Sequence, residues 1–210
     1  WDYLRMSFIL SFGSVAIAIV IAFLAAYSFS RFKPKGTNFL MFLLLSVRMV
    51  PAAAVVVPVF MMYNAFGWTK TVHGMLLFYV MFSIPFSLWI LKGFLDGVSL
   101  RYDETALVNG GSRLHIIFRV VLPQVKPALA TVGIFTFMAS WNDFMGPLIY
   151  LAEEDKYTLA LGLQSFLTEN LAVWNQLMAF STVLLIPLLI LFFIAQKYFI
   201  EGIALTGIKG

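Results

Sequence analysis

Two charged side chains lie deep inside long apolar runs: Arg48, in the run from Asn38 to Tyr63, and Asp143, in the run from Lys126 to Leu151. A charge held in hydrocarbon is costly, so such a residue marks a pathway, a relay or an ion pair by default. At about 1.5 Å per residue, Arg48 stands near mid-membrane, while Asp143 lies nearer the outer half. Arg48 either pairs with Asp143 or lines a passage; a plain helix-to-helix ion pair or a snorkelling side chain is the structural alternative. Other chemistry is thin. His73 and His115 are far apart and fall in different loops, which supports neither a dyad nor a metal set at helical spacing. The chain has no cysteine, which removes disulfides, thiolate nucleophiles and thiolate metal sites. The expectation is therefore no catalytic residue and no metal ligand.

The elements that hold these charges are written in the composition. Of 210 residues, 61% are hydrophobic and only 11% charged, against about 25% charged in an average soluble domain. Mean hydropathy is +0.93, and the fold class that follows is an all-α integral membrane protein. A helix crossing about 30 Å of hydrocarbon needs about 20 apolar residues, and five runs qualify: about 6–30, 38–63, 71–91, 126–151 and 170–196. In lipid the backbone must satisfy itself internally, so each run is expected to be a transmembrane helix within one domain spanning 1–210. The net charge of +4 comes from scattered cations rather than a basic patch, which argues against a nucleic-acid partner and for lipid as the surroundings.

Orientation follows from the Lys and Arg positions. Ten of the fourteen fall on one side: Arg31, Lys33 and Lys35, then Lys92, Arg101, Arg113, Arg119 and Lys126, then Lys197 and Lys209. That side is expected to be cytoplasmic, with the C-terminus there. Arg5, Lys70 and Lys156 lie on the other, with Glu153, Glu154, Asp155 and Glu169 in an outer loop. Five spans with an external start are expected to be completed by one further N-terminal helix. Ser14, Ala18, Ala22 and Ala26 recur every four residues, a small-residue face that lets another helix approach. Prolines 51, 58, 85, 147 and 187 fall within the spans and are expected to kink them.

The segment 96–125 is polar, cytoplasmic and too long for a tight turn. It reads as two short helices. Ser99 is placed to cap the first, Asp103 and Glu104 sit near its positive end, and Gly110-Gly111 stops it. Ser112 is placed to cap the second, which runs to about Val121 before Pro123. Leu100, Tyr102, Ala106, Leu107 and Val108 make the knob partly apolar, and short helices of this kind are unstable unless they dock on something.

The run Tyr102-Asp103-Glu104-Thr105-Ala106-Leu107-Val108-Asn109-Gly110-Gly111-Ser112, followed by Leu122-Pro123 and Pro127, resembles the Glu-Ala-Ala loop of ATP-binding-cassette importer permeases. Thr105 replaces the first alanine of the triplet, and Asn109 stands where many members have Asp. Trp141-Asn142-Asp143-Phe144 with Pro147-Leu148 is similar to a run of the maltose-type carbohydrate permeases, as is the tail Tyr198-Phe199-Ile200-Glu201-Gly202-Ile203-Ala204-Leu205-Thr206-Gly207-Ile208-Lys209-Gly210. The three motifs occur in the family's order, and the resemblance covers almost the whole chain; family members commonly have six spans, the first outside the shared core.

That resemblance implies a permease subunit of a carbohydrate importer, multi-pass in a bacterial-type inner membrane and without a catalytic site of its own. It implies a second homologous permease, two cytoplasmic ATPases that bind ATP and Mg, and an extracytoplasmic sugar-binding protein. No cofactor is then bound by this chain. The loop, with Glu104 as polar contact, Ala106 as the small residue at the contact and Gly110 as hinge, would couple to the ATPase. Residues 207–210 would reach between the ATPases, and the outer loop near 153–169 would face the binding protein. Arg48, Trp141, Asn142 and Asp143 are the candidate pathway residues, with Tyr150 a further aromatic for a sugar ring. Two alternatives stay open: an ion-coupled carrier, for which only Asp143 is a suitable group, and a permease of the same family for a non-sugar solute.

Overall fold

The computed structural model describes residues 1–166 and 174–207, and among these the chain is helical with no strand. In chain order, α1 is Asp2–Arg31, α2 Thr37–Val47, α3 Ala52–Ala65, α4 Val72–Gly97 and α5 Arg101–Val108. After these come α6 Arg113–Gln124, α7 Lys126–Trp141 and α8 Trp174–Gly207. Three of them, α1, α4 and α8, are individually long and apolar enough to cross a membrane, and the bent pair α6–α7 passes the same test together.

Three expectations change in detail. The run 38–63 is not one helix but α2 and α3, parted at Arg48–Pro51. Pro51 has no N–H to continue the ladder, and its ring disfavours the helical conformation at Val50. The run 126–151 is helical only to Trp141, then breaks and resumes through Pro147–Leu151 as a π-helical turn. The last helix does not stop at 196 but continues to Gly207. The prolines within α3, α4 and α8 do not end those helices.

The long α1 packs against α4 on one side and α7 on another. The small-residue face makes this close approach possible: Ser14, Ala18, Ala22 and Ala26 are all fully buried. Lipid tails are as apolar as leucine, so close packing rather than expulsion from water holds these helices together. Ser7 and Ser11 extend the same face, and the Ser7 hydroxyl accepts from the Leu159 N–H at 2.7 Å. Thr71 caps α4, accepting from Gly74 N–H at 3.1 Å. A Cβ at position 74 would overlap the Trp68 carbonyl, so this start tolerates only glycine.

Charged groups gather at the two ends of α1. At its start, Tyr3 meets Tyr157 with ring centroids 6.1 Å apart, and Lys156 donates to the Lys70 carbonyl at 2.8 Å and to Glu153. That ammonium holds the partly exposed Glu153 carboxyl below its ordinary range. At the other end stand Arg31, Lys92, Asp96 and Asp103.

Candidate functional site

α4 runs past the expected end at 91 through Asp96 and Gly97, and the rest of the loop expected at 96–125 folds as a helix pair whose second member ends at Gln124 rather than about Val121. Leu100, rather than Ser99, is the N-cap residue of α5, though the Ser99 hydroxyl accepts from Arg101 N–H at 3.3 Å. Gly110 has φ +81, and the Gly111 N–H reaches back to Ala106 O at 2.8 Å while Gly110 N–H bonds Leu107 O at 2.9 Å. This pair of bonds is the Schellman closure, which needs a left-handed residue at the first position past the cap. Ser112 caps α6, accepting from His115 N–H at 3.2 Å. A six-residue π-helical stretch, Ile116–Val121, follows within α6, and a 77° bend turns the chain into α7. Val125, with ψ +11, is the non-helical joint between Pro123 and Pro127.

Of the eight residues of α5, six are exposed, among them Tyr102, Glu104, Thr105 and Leu107. Val108, at 88% exposure, and Leu114, at 67%, extend an apolar outer surface that a lone helix in water does not sustain. Asp103 and Ala106, both expected at a docking face, point the other way. Asp103 is buried with its Oδ2 2.9 Å from Arg31 Nε, and Ala106 packs on the core formed by α1, α4, α6 and α7. Asn109 donates its amide to Thr105 O and is exposed, while Leu122 and Pro123 close α6. Beside α5 opens a cleft of about 980 Å³ lined by Lys33, Lys92, Asp96, Arg101 and Glu104.

Residue spacing gave no sign of the Arg31–Asp103 pair, because its partners are far apart in sequence and each had a sufficient local explanation. Arg31 read as a topology cation and Asp103 as a helix-start acid. One signal was present: Arg31 ends a 25-residue uncharged run, where a guanidinium can fold back over the helix end.

The second constellation lies within the apolar layer. A cavity of about 390 Å³ sits between α3, α4, α7 and the 147–151 turn, with Arg48 and Asp143 both on its wall. They do not form an ion pair. Arg48, at the end of α2, donates to Phe82 O at 2.5 Å, three residues before Pro85, and its guanidinium lies 5.8 Å from the Phe86 ring centre. Asp143 accepts from Gly146 N–H at 3.2 Å, with Tyr79 beside it. A Cβ at Gly146 would overlap that carboxylate. Ser83, Thr136 and Ser140 add hydroxyls, and Phe78, Phe86, Phe135 and Tyr150 add ring faces.

Trp141 and Asn142 are not on this wall. Trp141 is fully buried, donates to Leu184 O at 3.0 Å and stacks on Phe137 with centroids 5.2 Å apart, which ties α7 to α8. Asn142 is exposed and turns its amide back to Met138 O, closing α7. Tyr150 does line the cavity, its hydroxyl donating to Val56 O at 3.2 Å. Gly207 ends α8; Ile208, Lys209 and Gly210, expected to contact an ATPase, lie outside the described residues, as does Glu169. Among the described residues no group of His, Cys, Asp or Glu is arranged to hold a metal.

Comparison with known proteins gives a consistent set of relatives. Residues 18–204 match the family model described as the binding-protein-dependent transport system inner membrane component. The chain is 30% identical to the inner membrane ABC transporter permease protein YcjP of Escherichia coli K12, covering 100% of this chain and 75% of that protein. It is likewise 30% identical to the trehalose/maltose transport system permease protein MalG of Thermococcus litoralis, covering 99% of this chain and 75% of that one. Among solved structures, a chain of a bacterial ABC transporter involved in import of the acidic polysaccharide alginate shares the fold with TM-score 0.82 and 21% identity. That match covers 95% of this chain and 75% of the other.

Proposed function

Because the chain belongs to the family of binding-protein-dependent transport system inner membrane components, we propose that it is the permease subunit of an ATP-binding-cassette importer that carries a sugar or oligosaccharide across the inner membrane. The observation that carries the reading is the exposed α5, closed by a left-handed Gly110 at the end of the molecule where the cations gather. The sugar rests on the Trp141-Asn142-Asp143-Phe144 run and on the relative named for trehalose and maltose.

In this reading the docking face is Tyr102, Glu104, Thr105 and Leu107 with Val108, seated on a cytoplasmic ATPase that binds ATP and Mg. Each of two ATPases takes one such knob, from this chain and from a homologous second permease; an extracytoplasmic binding protein delivers the solute. The C-terminus is cytoplasmic, and residues 207–210 reach toward the ATPases. This chain supplies positions and contacts, not catalytic groups.

The cavity holding Arg48 and Asp143 supplies this chain's share of the pathway. A sugar presents hydroxyls that both donate and accept and apolar faces that stack on rings; the wall offers a cation, a carboxylate, hydroxyls and aromatic faces. A hydrogen bond to a charged group is worth about 1.5–3 kcal/mol, so Arg48→Met is expected to weaken uptake about tenfold or more. Transport kinetics in vesicles check this; unchanged affinity and rate would leave Arg48 as a cap on the broken helix.

The reading as a whole is tested by gentle purification from native membranes with identification of what travels with the chain. Recovery of an ATPase, a second permease and a sugar-binding protein is the expected result. Recovery of the chain alone, under conditions that keep such complexes whole, would instead favour a self-contained carrier.

A further inference from the structure

We infer that Arg31 and Asp103 form a clamp through which movement of the docking helix α5 is passed to the membrane-spanning helices, so that both are positioning residues for coupling. The inference rests on the importer reading and adds to it how the knob is held. α5 is flanked by non-helical joints, Val98–Leu100 before it and Asn109–Ser112 after it. A helix hinged at both ends transmits nothing unless a third contact fixes it. Only Asp103 and Ala106 of its eight residues face inward, one turn apart on the same side, and Ala106 offers a single methyl group.

Asp103 is therefore the polar anchor. Its Oδ2 lies 2.9 Å from Arg31 Nε and accepts from the Tyr27 hydroxyl at 3.4 Å. The same guanidinium donates through Nη1 to Leu95 O at 3.2 Å and Val98 O at 3.0 Å, the end of α4. One side chain thus ties the end of α1, the end of α4 and the docking helix at a single point. The Arg31 and Asp103 side chains are 6% and 12% exposed. Burial of this degree makes the pair costly to separate, because removing one partner leaves an uncompensated charge. The flat, forked guanidinium holds two carbonyls at the end of α4 while its Nε edge lies against the Asp103 carboxylate; an ammonium is a point charge on a flexible stem. Close by, Ser30 donates to Asp96 at 2.7 Å, which holds the ends of α1 and α4 in register independently of α5.

The experiment uses the whole transporter, permeases, ATPases and binding protein, reconstituted in liposomes, and reads sugar taken up per ATP hydrolysed. Asp103→Asn leaves the buried Arg31 charge unpaired, so membrane level is expected to fall, and in the transporter that still assembles the ratio is expected to drop by about tenfold. An unchanged ratio in the assembled variant overturns the clamp while leaving the importer reading intact. Where Asp103→Asn fails to assemble, Arg31→Lys takes its place, since it keeps the buried charge paired but cannot also hold Leu95 and Val98. It is expected to lower the ratio by about threefold; a wild-type ratio overturns the clamp here too. If the wild-type assembly takes up no sugar on ATP, the importer reading fails and the clamp falls with it.

Discussion

Gly110→Pro is expected to abolish uptake while leaving the chain in the membrane at near-normal level. Position 110 has φ +81, and proline is locked near −65°. The substitution also removes the Gly110 N–H that bonds Leu107 O, and displaces the Gly111 N–H that bonds Ala106 O. Both bonds close α5, so the docking helix would lose its last turn and the chain would leave it in a different direction. The helices in the membrane share none of these bonds and are expected to persist. Measured in reconstituted vesicles, ATP hydrolysis is expected to continue with sugar uptake at background; wild-type uptake would show that the loop's closure has no part in coupling. Gly110→Ala is the graded comparison. Left-handed backbone costs a non-glycine residue about 1–2 kcal/mol, a strain that shifts α5 without unravelling it, and uptake should fall only in part.

Ala22→Phe is expected to prevent the helices from assembling at all. Ala22 is fully buried on the face that α1 turns toward α4 and α7, within a core that includes Leu88, Leu91, Val125 and Ala128. Overpacking a core by a methylene or two costs about 1–3 kcal/mol, and a benzyl group adds far more volume than that. Lipid gives no compensating penalty for separation, because a helix that moves away buries its apolar face in acyl chains instead. The comparison is Val20→Phe, two residues away and 57% exposed, which should be accepted without loss. The check is the amount of each variant in membranes and its thermal unfolding in detergent. Equal behaviour of the two would mean that α1 does not use its small-residue face for close approach.

Much of the architecture was legible because lipid as solvent leaves few choices. A charge-poor chain must be helical where it crosses hydrocarbon, and its cations must segregate, so the helical class, the small-residue face of α1 and the two charged ends follow from local composition. Two of the three expected caps were legible as well, while Ser99 gave way to Leu100 at the start of α5. Ser112 and the Gly110-Gly111 pair act within a few residues of themselves, so spacing along the chain was enough to place them. The Trp141 motif marked kinship correctly but misled about position: an indole beside a polar amide suggested a binding wall, whereas the packing of α7 on α8 buries the ring and uses its N–H on Leu184 O.

What tertiary structure alone decided were relations between residues far apart in sequence. Arg48 and Asp143 could have paired; helix placement puts both on one cavity wall without joining them, because the break at Arg48–Pro51 turns the guanidinium to the Phe82 carbonyl. Asp103 could have faced a partner; the path of α5 across the ends of α1 and α4 turns it onto Arg31. Periodicity tells which side of a helix is apolar, but not which distant helix end comes to lie against it. That depends on how α1, α4 and α7 pack, and so the same acidic residue reads as a solvated helix start in sequence and as a buried anchor in the fold.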